Sequence, residues 1–238
     1  MRAALEAKNL TKLFGSAVAL ADVNLALCQG ESVILFGPNG AGKTTLIKLF
    51  AMLAHPSSGS IEVNGVDLRR GGATLRCGVG VISHQPFLYG ALTAEENLRL
   101  AADLFGVDEP EDKINEMLVR FGLELRRHDP VRTFSRGLMK RCALCRALIH
   151  DPSIILLDEP FAGLDPGASR ELSRLLEELH DGRRTILMTS HDFRHGRAIA
   201  DRMLILNRGL LVHDGPCSGI TEFEFETLYN TRTNAVPR

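Results

Sequence analysis

The sequence has no tryptophan, and aromatic side chains are only 5% of its 238 residues. A base-stacking platform for single-stranded nucleic acid is therefore not expected. Charge of either sign is not in excess, since 28 Lys+Arg stand against 29 Asp+Glu. Without a basic field there is little to draw in a phosphodiester backbone. The five cysteines are an odd number in a chain this long. They do not make a disulfide framework, and a reducing, cytoplasmic compartment is expected. The opening MRAALEAKNLTK lacks the apolar core of a secretory signal. No run approaches the roughly 20 apolar residues that cross a bilayer. Internal repeats and low-complexity segments are missing too. What is left is a chain that is 45% hydrophobic, enough for one sizeable domain with a subdomain.

The patterning divides the chain into three stretches. LEAKNLTKLF, AVALADVNLALCQG and SVILF read as short strands with turns, and GSIEVNGVDL as a hairpin turning at Asn64-Gly65. Leu46, Ile47, Leu49, Phe50 and Leu53 have helical spacing. From about residue 92 to 150 the pattern turns helical, opening at Thr93 with Glu96 as a capping box. SIILLD and RTILMTS then read as strands buried on both faces of a parallel sheet, with the amphipathic PGASRELSRLLEELH between them. The expected layout is one α/β domain over 1–238. Residues 1–85 and 151–238 form a βαβ core, and 86–150 a helical insertion. The final YNTRTNAVPR is expected to fray.

FGPNGAGKTTL carries the chemistry. Gly37-x4-Gly42-Lys43-Thr44 follows an apolar strand and precedes a helix, the setting in which G-x-x-x-x-G-K-[ST] cradles phosphates. Glycines let the backbone wrap an anion, and successive N–H groups with the helix N-terminus point at it. Across Gly37, Pro38, Asn39, Gly40, Ala41, Gly42, Lys43, Thr44 and Thr45, Lys43 is expected to reach the β- and γ-phosphates of ATP. The Thr44 hydroxyl is expected to take Mg²⁺. A plain glycine-rich turn is the alternative. SIILLDEP supplies the second half of the site: Asp158, at a strand end, to hold Mg²⁺ through water, and Glu159 to act on an attacking water. The guanine-reading N-K-x-D is not in the sequence.

Four more features follow in order: Gln85 in ISHQPFLYG, FSRGLMKRCALCRAL over 134–148, GLD at 163–165, and His191 in TSHD. Together with the phosphate loop and the acidic strand end, this order and spacing resemble the ATP-binding subunits of ABC transporters over nearly the whole chain. The resemblance implies a P-loop NTPase fold, a three-layer core with an antiparallel β subdomain and an inserted α-helical subdomain. It also implies roles. Phe14 would stack on adenine, its alternative being a core position. Gln85 would sense Mg²⁺ and the attacking water and relay to a membrane subunit. Ser135 and Gly137 would hold the γ-phosphate bound on the opposite subunit. His191 would contact that phosphate, and Asp165 would form part of the contact across the dimer. Two subunits would close head-to-tail over two ATP molecules and reopen on hydrolysis, driving transport through a separate membrane protein. The chain would sit peripherally on the cytoplasmic face of the cell membrane, its partner being a second copy or a homologous ATPase subunit.

The signature departs from the common L-S-G-G-Q, with Arg136 for a glycine and Leu138 for a glutamine. That variant is similar to exporter subunits, including those of haem-exporter, cytochrome c maturation type. ABC-2 efflux of a drug, lipid or polysaccharide is the alternative. A soluble ABC ATPase acting on ribosomes or DNA is a second class; it usually carries two such domains or a long coiled coil, which 238 residues do not accommodate. A phosphate-loop kinase would need an acceptor lid, and the signature argues against it. Cys142-x-x-Cys145 lacks the second pair that zinc needs and reads as packing. His84 reads as structural, and DEPEDK at 108–113 as a solvated helix start.

Overall fold

The computed structural model describes residues 2–83, 86–197 and 199–234, without the side chains of Ala73, His195 and Arg197. The chain begins with β1 (Ala3–Phe14), β2 (Ala17–Cys28) and β3 (Ser32–Phe36), and α1 (Lys43–Phe50) follows. Then come β4 (Ser58–Val63), β5 (Val66–Asp67), α2 (Leu68–Arg76) and β6 (Val79–Ile82). The helical stretch holds α3 (Ala94–Phe105), α4 (Pro110–Arg120) and α5 (Arg136–Leu148). After it the order is β7 (Ile154–Asp158), α6 (Pro166–Leu179), β8 (Thr185–Thr189) and α7 (Phe193–Arg197). The chain ends with β9 (Arg202–Asn207), β10 (Leu210–Pro216) and α8 (Glu222–Asn234).

The strands form two sheets. One is antiparallel, in the order β2-β1-β4-β5; the other runs β10-β9-β3-β8-β7-β6, parallel except for β10. Alternation along each parallel strand assigns the two faces. Ile34, Phe36, Ile155 and Leu157 join Leu98, Leu118, Leu144, Leu176 and Phe225 on the helical side. Val33, Leu35, Ile154 and Leu156 join Leu46 and Phe50 of α1 and Leu5, Leu25 and Ile61 of the antiparallel sheet. The continuous apolar runs of β3, β7 and β8 follow from this: each residue has a core on its own side, and all five positions of each strand are buried. Burying each such Leu or Ile contributes about 1.5–3 kcal/mol.

Two expectations are corrected. The first two strands are not short but twelve residues each. The polar breaks in them are bulges: register shifts at Ala7/Leu10, Asn9 and Asp22 take left-handed φ, and Asn9 Nδ2 donates to Asp22 Oδ1 at 2.9 Å. The tail is helical from Glu222 to Asn234 rather than frayed from Tyr229. Asn207 Nδ2 reaches over to donate to the Thr233 carbonyl at 2.8 Å, satisfying an acceptor that a helix C-terminus leaves open.

The helical stretch is closed at its base. Val131 N donates to Leu92 O and Arg132 N to Gly90 O, both at 2.9 Å, and Thr93 bridges Pro130. Asn97, 2% exposed, donates its amide to Tyr89 O and Thr93 O and accepts from Tyr89 N. The Thr93–Glu96 capping box is formed.

Candidate functional site

Strand order decides what meets. β3, β8 and β7 are neighbours in the parallel sheet. The phosphate loop, His191 and the Asp158-Glu159 pair leave from their carboxyl ends, where open α/β sheets hold ligands.

The loop runs from β3 into α1, whose N-cap is Gly42 at φ 109°. A Cβ there would lie 2.4 Å from the Ala19 carbonyl oxygen, so only glycine lets the loop settle on β2. Glycine also brings no capping side chain, which leaves the first-turn N–H groups of α1 to bind an anion. The α3, α5 and α6 N-caps differ: Thr93, Ser135 and Asp165 each accept a first-turn N–H. Lys43 is 7% exposed, and its ammonium donates to the carbonyls of Gly37 at 2.7 Å and Pro38 at 3.3 Å. Burial pushes its pKa down, opposed by the nearby Glu159 and Asp158. Gly37 and Ala41 are buried, Pro38 and Thr45 half-buried, and Asn39, Gly40 and Thr44 exposed toward the open side of the loop.

Asp158 is 1% exposed and accepts at Oδ1 from the Thr189 hydroxyl at 2.8 Å. The same Thr189 oxygen accepts from Glu159 N at 2.9 Å. Glu159 sits at φ 52°, a left-handed conformation uncommon for a non-glycine residue. Its Oε1 lies 2.9 Å from His191 Nε2 and 3.9 Å from Lys43 Nζ, yet no donor among the described residues is aligned to it as a hydrogen bond. Burial raises the Glu159 pKa; His191 and Lys43 pull it down. The group is thus a half-buried carboxylate with an oxygen free to accept, flanked by the Lys43 ammonium and the His191 ring. That donor set fits a magnesium-bound triphosphate: ammonium and backbone N–H groups for phosphate oxygens, exposed hydroxyl and carboxylates for the metal and a water.

The remaining expected residues lie apart from this cluster. Ser135 is exposed, caps α5 and accepts from Leu138 N at 3.3 Å. Gly137 is half-buried behind it. Asp165 caps α6 through the N–H groups of Gly167 and Ala168, which hold its carboxyl below the usual range. Phe14 is 56% exposed, with the Lys12 ammonium 4.9 Å from its ring centroid; a core position is therefore excluded. Cys142 and Cys145 are buried, the Cys142 thiol pushed up to about 12, and they pack in the helical-side core. Gln85 and His84 lie outside the described residues.

Two residues near the centre escaped sequence reasoning. Thr189 ties Asp158 to Glu159; its signal was a lone hydroxyl closing an apolar strand. Lys140 of α5 is half-buried, its pKa lowered by burial against the pull of Asp158 and Glu159. It was passed over as one more charge on a signature helix.

Comparison with known proteins places the chain. The ABC transporter family matches residues 20–162. The ABC transporter ATP-binding protein NatA of Bacillus subtilis is 36% identical over 209 residues, 87% of this chain and 85% of NatA. The bacitracin transport ATP-binding protein BcrA of Bacillus licheniformis is 34% identical over 217 residues, 91% of this chain and 71% of BcrA. Among solved structures, a dimeric ATP-binding cassette in a post-hydrolysis state, bound to ADP and Pi, superposes with a TM-score of 0.83. It is 28% identical, over 91% of this chain and 100% of the other.

Proposed function

The chain belongs to the ABC transporter family as an ATP-binding subunit, and from that premise we propose that it powers export. As a member it binds ATP with Mg²⁺, hydrolyses it, dimerises and pairs with membrane subunits. No helix among the described residues is long and apolar enough to cross a membrane, so the conduit lies in the partner. We place the chain peripherally on the cytoplasmic face of the cell membrane.

The roles follow from the site. Lys43 and the backbone N–H groups of the loop 37–45, Pro38 excepted, hold the β- and γ-phosphates. Phe14, exposed at the end of β1, stacks on adenine. Thr44, Asp158 and Gln85 hold Mg²⁺, which when bound neutralises charge on the phosphate oxygens. Glu159 takes the proton of the attacking water. Its burial lifts basicity, and His191 and Lys43 oppose that rise. His191, 2.9 Å from Glu159 Oε1, would contact the γ-phosphate. Ser135 and Gly137 complete the site of a second copy, with Asp165 beside that contact. Residues 86–150 form the arm between the core, 1–85 and 151–238, and the membrane subunit. ATP bridging two copies favours the closed dimer, because only that state gains the second set of contacts.

The single observation behind this reading is the meeting of Lys43, Glu159 and His191 at adjoining strand ends while Ser135 stays exposed on its own helix cap. For cargo, a relative named for bacitracin transport and one named as a probable multidrug transporter favour ABC-2 efflux of a drug, lipid or polysaccharide. Haem export for cytochrome c maturation rests on the Ser135-Arg136-Gly137-Leu138 variant and on the stretch ISHQPFLYGALTAEENLRLAADLFGV. Glu159→Gln with ATP and Mg²⁺ should elute as a dimer and return to monomer with ADP. Tagged chain from detergent-solubilised membranes should carry a multi-span partner; a chain recovered alone from the soluble fraction would favour a non-transport ATPase.

A further inference from the structure

His191 Nε2 lies 2.9 Å from Glu159 Oε1. Around it Ser190 N donates to Leu35 O at 3.3 Å, Ser190 Oγ and Asp192 close a local turn, and Asp192 Oδ1 accepts from Arg194 N at 2.8 Å. Phe193 ties this segment to the core. It is 5% exposed and stacks on Phe225 of α8, ring centroids 4.2 Å apart and 12° from parallel. Phe225 in turn lies 4.7 Å from Phe36, the last residue before the phosphate loop. Phe36 and Phe193 are 6.2 Å apart, so the Phe225 ring bridges the two. Helix α7 rests flush on β3 because Gly196 has no Cβ: one placed there would lie 1.9 Å from Ile34 Cδ1.

A second link between α7 and α8 is the Arg194–Glu222 ion pair at 3.4 Å, with both side chains mostly exposed. Such a pair contributes little, whereas offset aromatic pairs add attraction beyond that of their buried area. The rings therefore dominate. A cavity of about 690 Å³ opens between Gly37, His191 and Asp192 on one side and Glu222, Phe225 and Glu226 on the other.

We propose that Phe225 is a positioning residue of the ATPase: through Phe193 and Phe36 it keeps His191 in register with the phosphate loop. This makes the C-terminal helix part of the catalytic frame. The inference rests on the reading of His191 as a γ-phosphate contact, and the experiment separates the two. Phe225→Ala, His191→Ala and the double variant are compared with wild type for ATP turnover and ADP affinity.

The expected result is a fall in kcat of roughly tenfold for Phe225→Ala, with ADP affinity and KM within about twofold, the pattern of an interaction realised late in the reaction. In the His191→Ala background the Phe225 change should cost nothing further, since both act on one element. Phe225→Tyr should restore the rate. If His191→Ala turns over at the wild-type rate, the histidine reading fails. If His191→Ala is slow but Phe225→Ala is not, or if their losses simply multiply, the proposal is overturned. Should Phe225→Ala not fold, Phe225→Leu, which keeps apolar bulk and loses the flat ring, is judged by the same outcomes.

Discussion

The Thr189 hydroxyl donates to Asp158 Oδ1 at 2.8 Å inside the sheet, across paired positions of β8 and β7. Because the same oxygen accepts from Glu159 N, one side chain orients both acids. Thr189→Val keeps the shape and strands a buried acceptor and a donor. It should cost about 1–3 kcal/mol, lowering Tm by roughly 2–4 °C per kcal/mol in a chain this size. Turnover should fall as well. Thr189→Ser should recover both, measured by calorimetry and phosphate release.

Glu159→Gln removes the base while preserving size. ATP should still bind, and kcat should drop by about 10² to 10⁴. A variant hydrolysing at the wild-type rate would remove Glu159 from the mechanism.

Phe14 is exposed enough that losing its ring should leave stability within about 0.5 kcal/mol of wild type. Base stacking on an aromatic is worth about 1–3 kcal/mol, so Phe14→Ala should weaken ATP affinity at least fivefold by that same figure, and Phe14→Tyr should not. Unchanged ATP affinity in titration calorimetry would leave the ring without a nucleotide role.

Glu95 opens α3 and faces Arg127 at 3.0 Å and Arg99 at 3.2 Å, with His128 at 3.4 Å. Arg127 first, then Arg99 and His128, hold its carboxyl below the usual glutamate range. A depressed folded pKa stabilises above the unfolded value and is lost as pH falls through the folded one. Glu95→Gln should thus be less stable than wild type at neutral pH, and the gap should close in acid. Melting curves at pH 7 and below pH 4 test that sign.

What the sequence made legible was local. Lys43 and its glycines, the Thr93–Glu96 box and the Asn64-Gly65 turn each declare themselves within a few residues, and each forms as expected. Thr189 was silent because its partners sit on another strand, 31 and 30 residues away. The helix over 222–234 was hidden for the same reason: its end is closed by Asn207, from a strand end 26 residues earlier. The length of the first hairpin is not legible locally, because its polar Asn9 and Asp22 are accommodated only by pairing with each other across a bulge.

The pinched base at Gly90–Leu92 and Val131–Arg132 carries a last consequence. One side of that neck runs back to Pro86, the neighbour of Gln85; the other runs on three residues to Ser135. On the function proposed above, a load placed on α3 or α4 by a docked subunit would pull on both leads through that neck, toward the chain's own nucleotide and its twin's together.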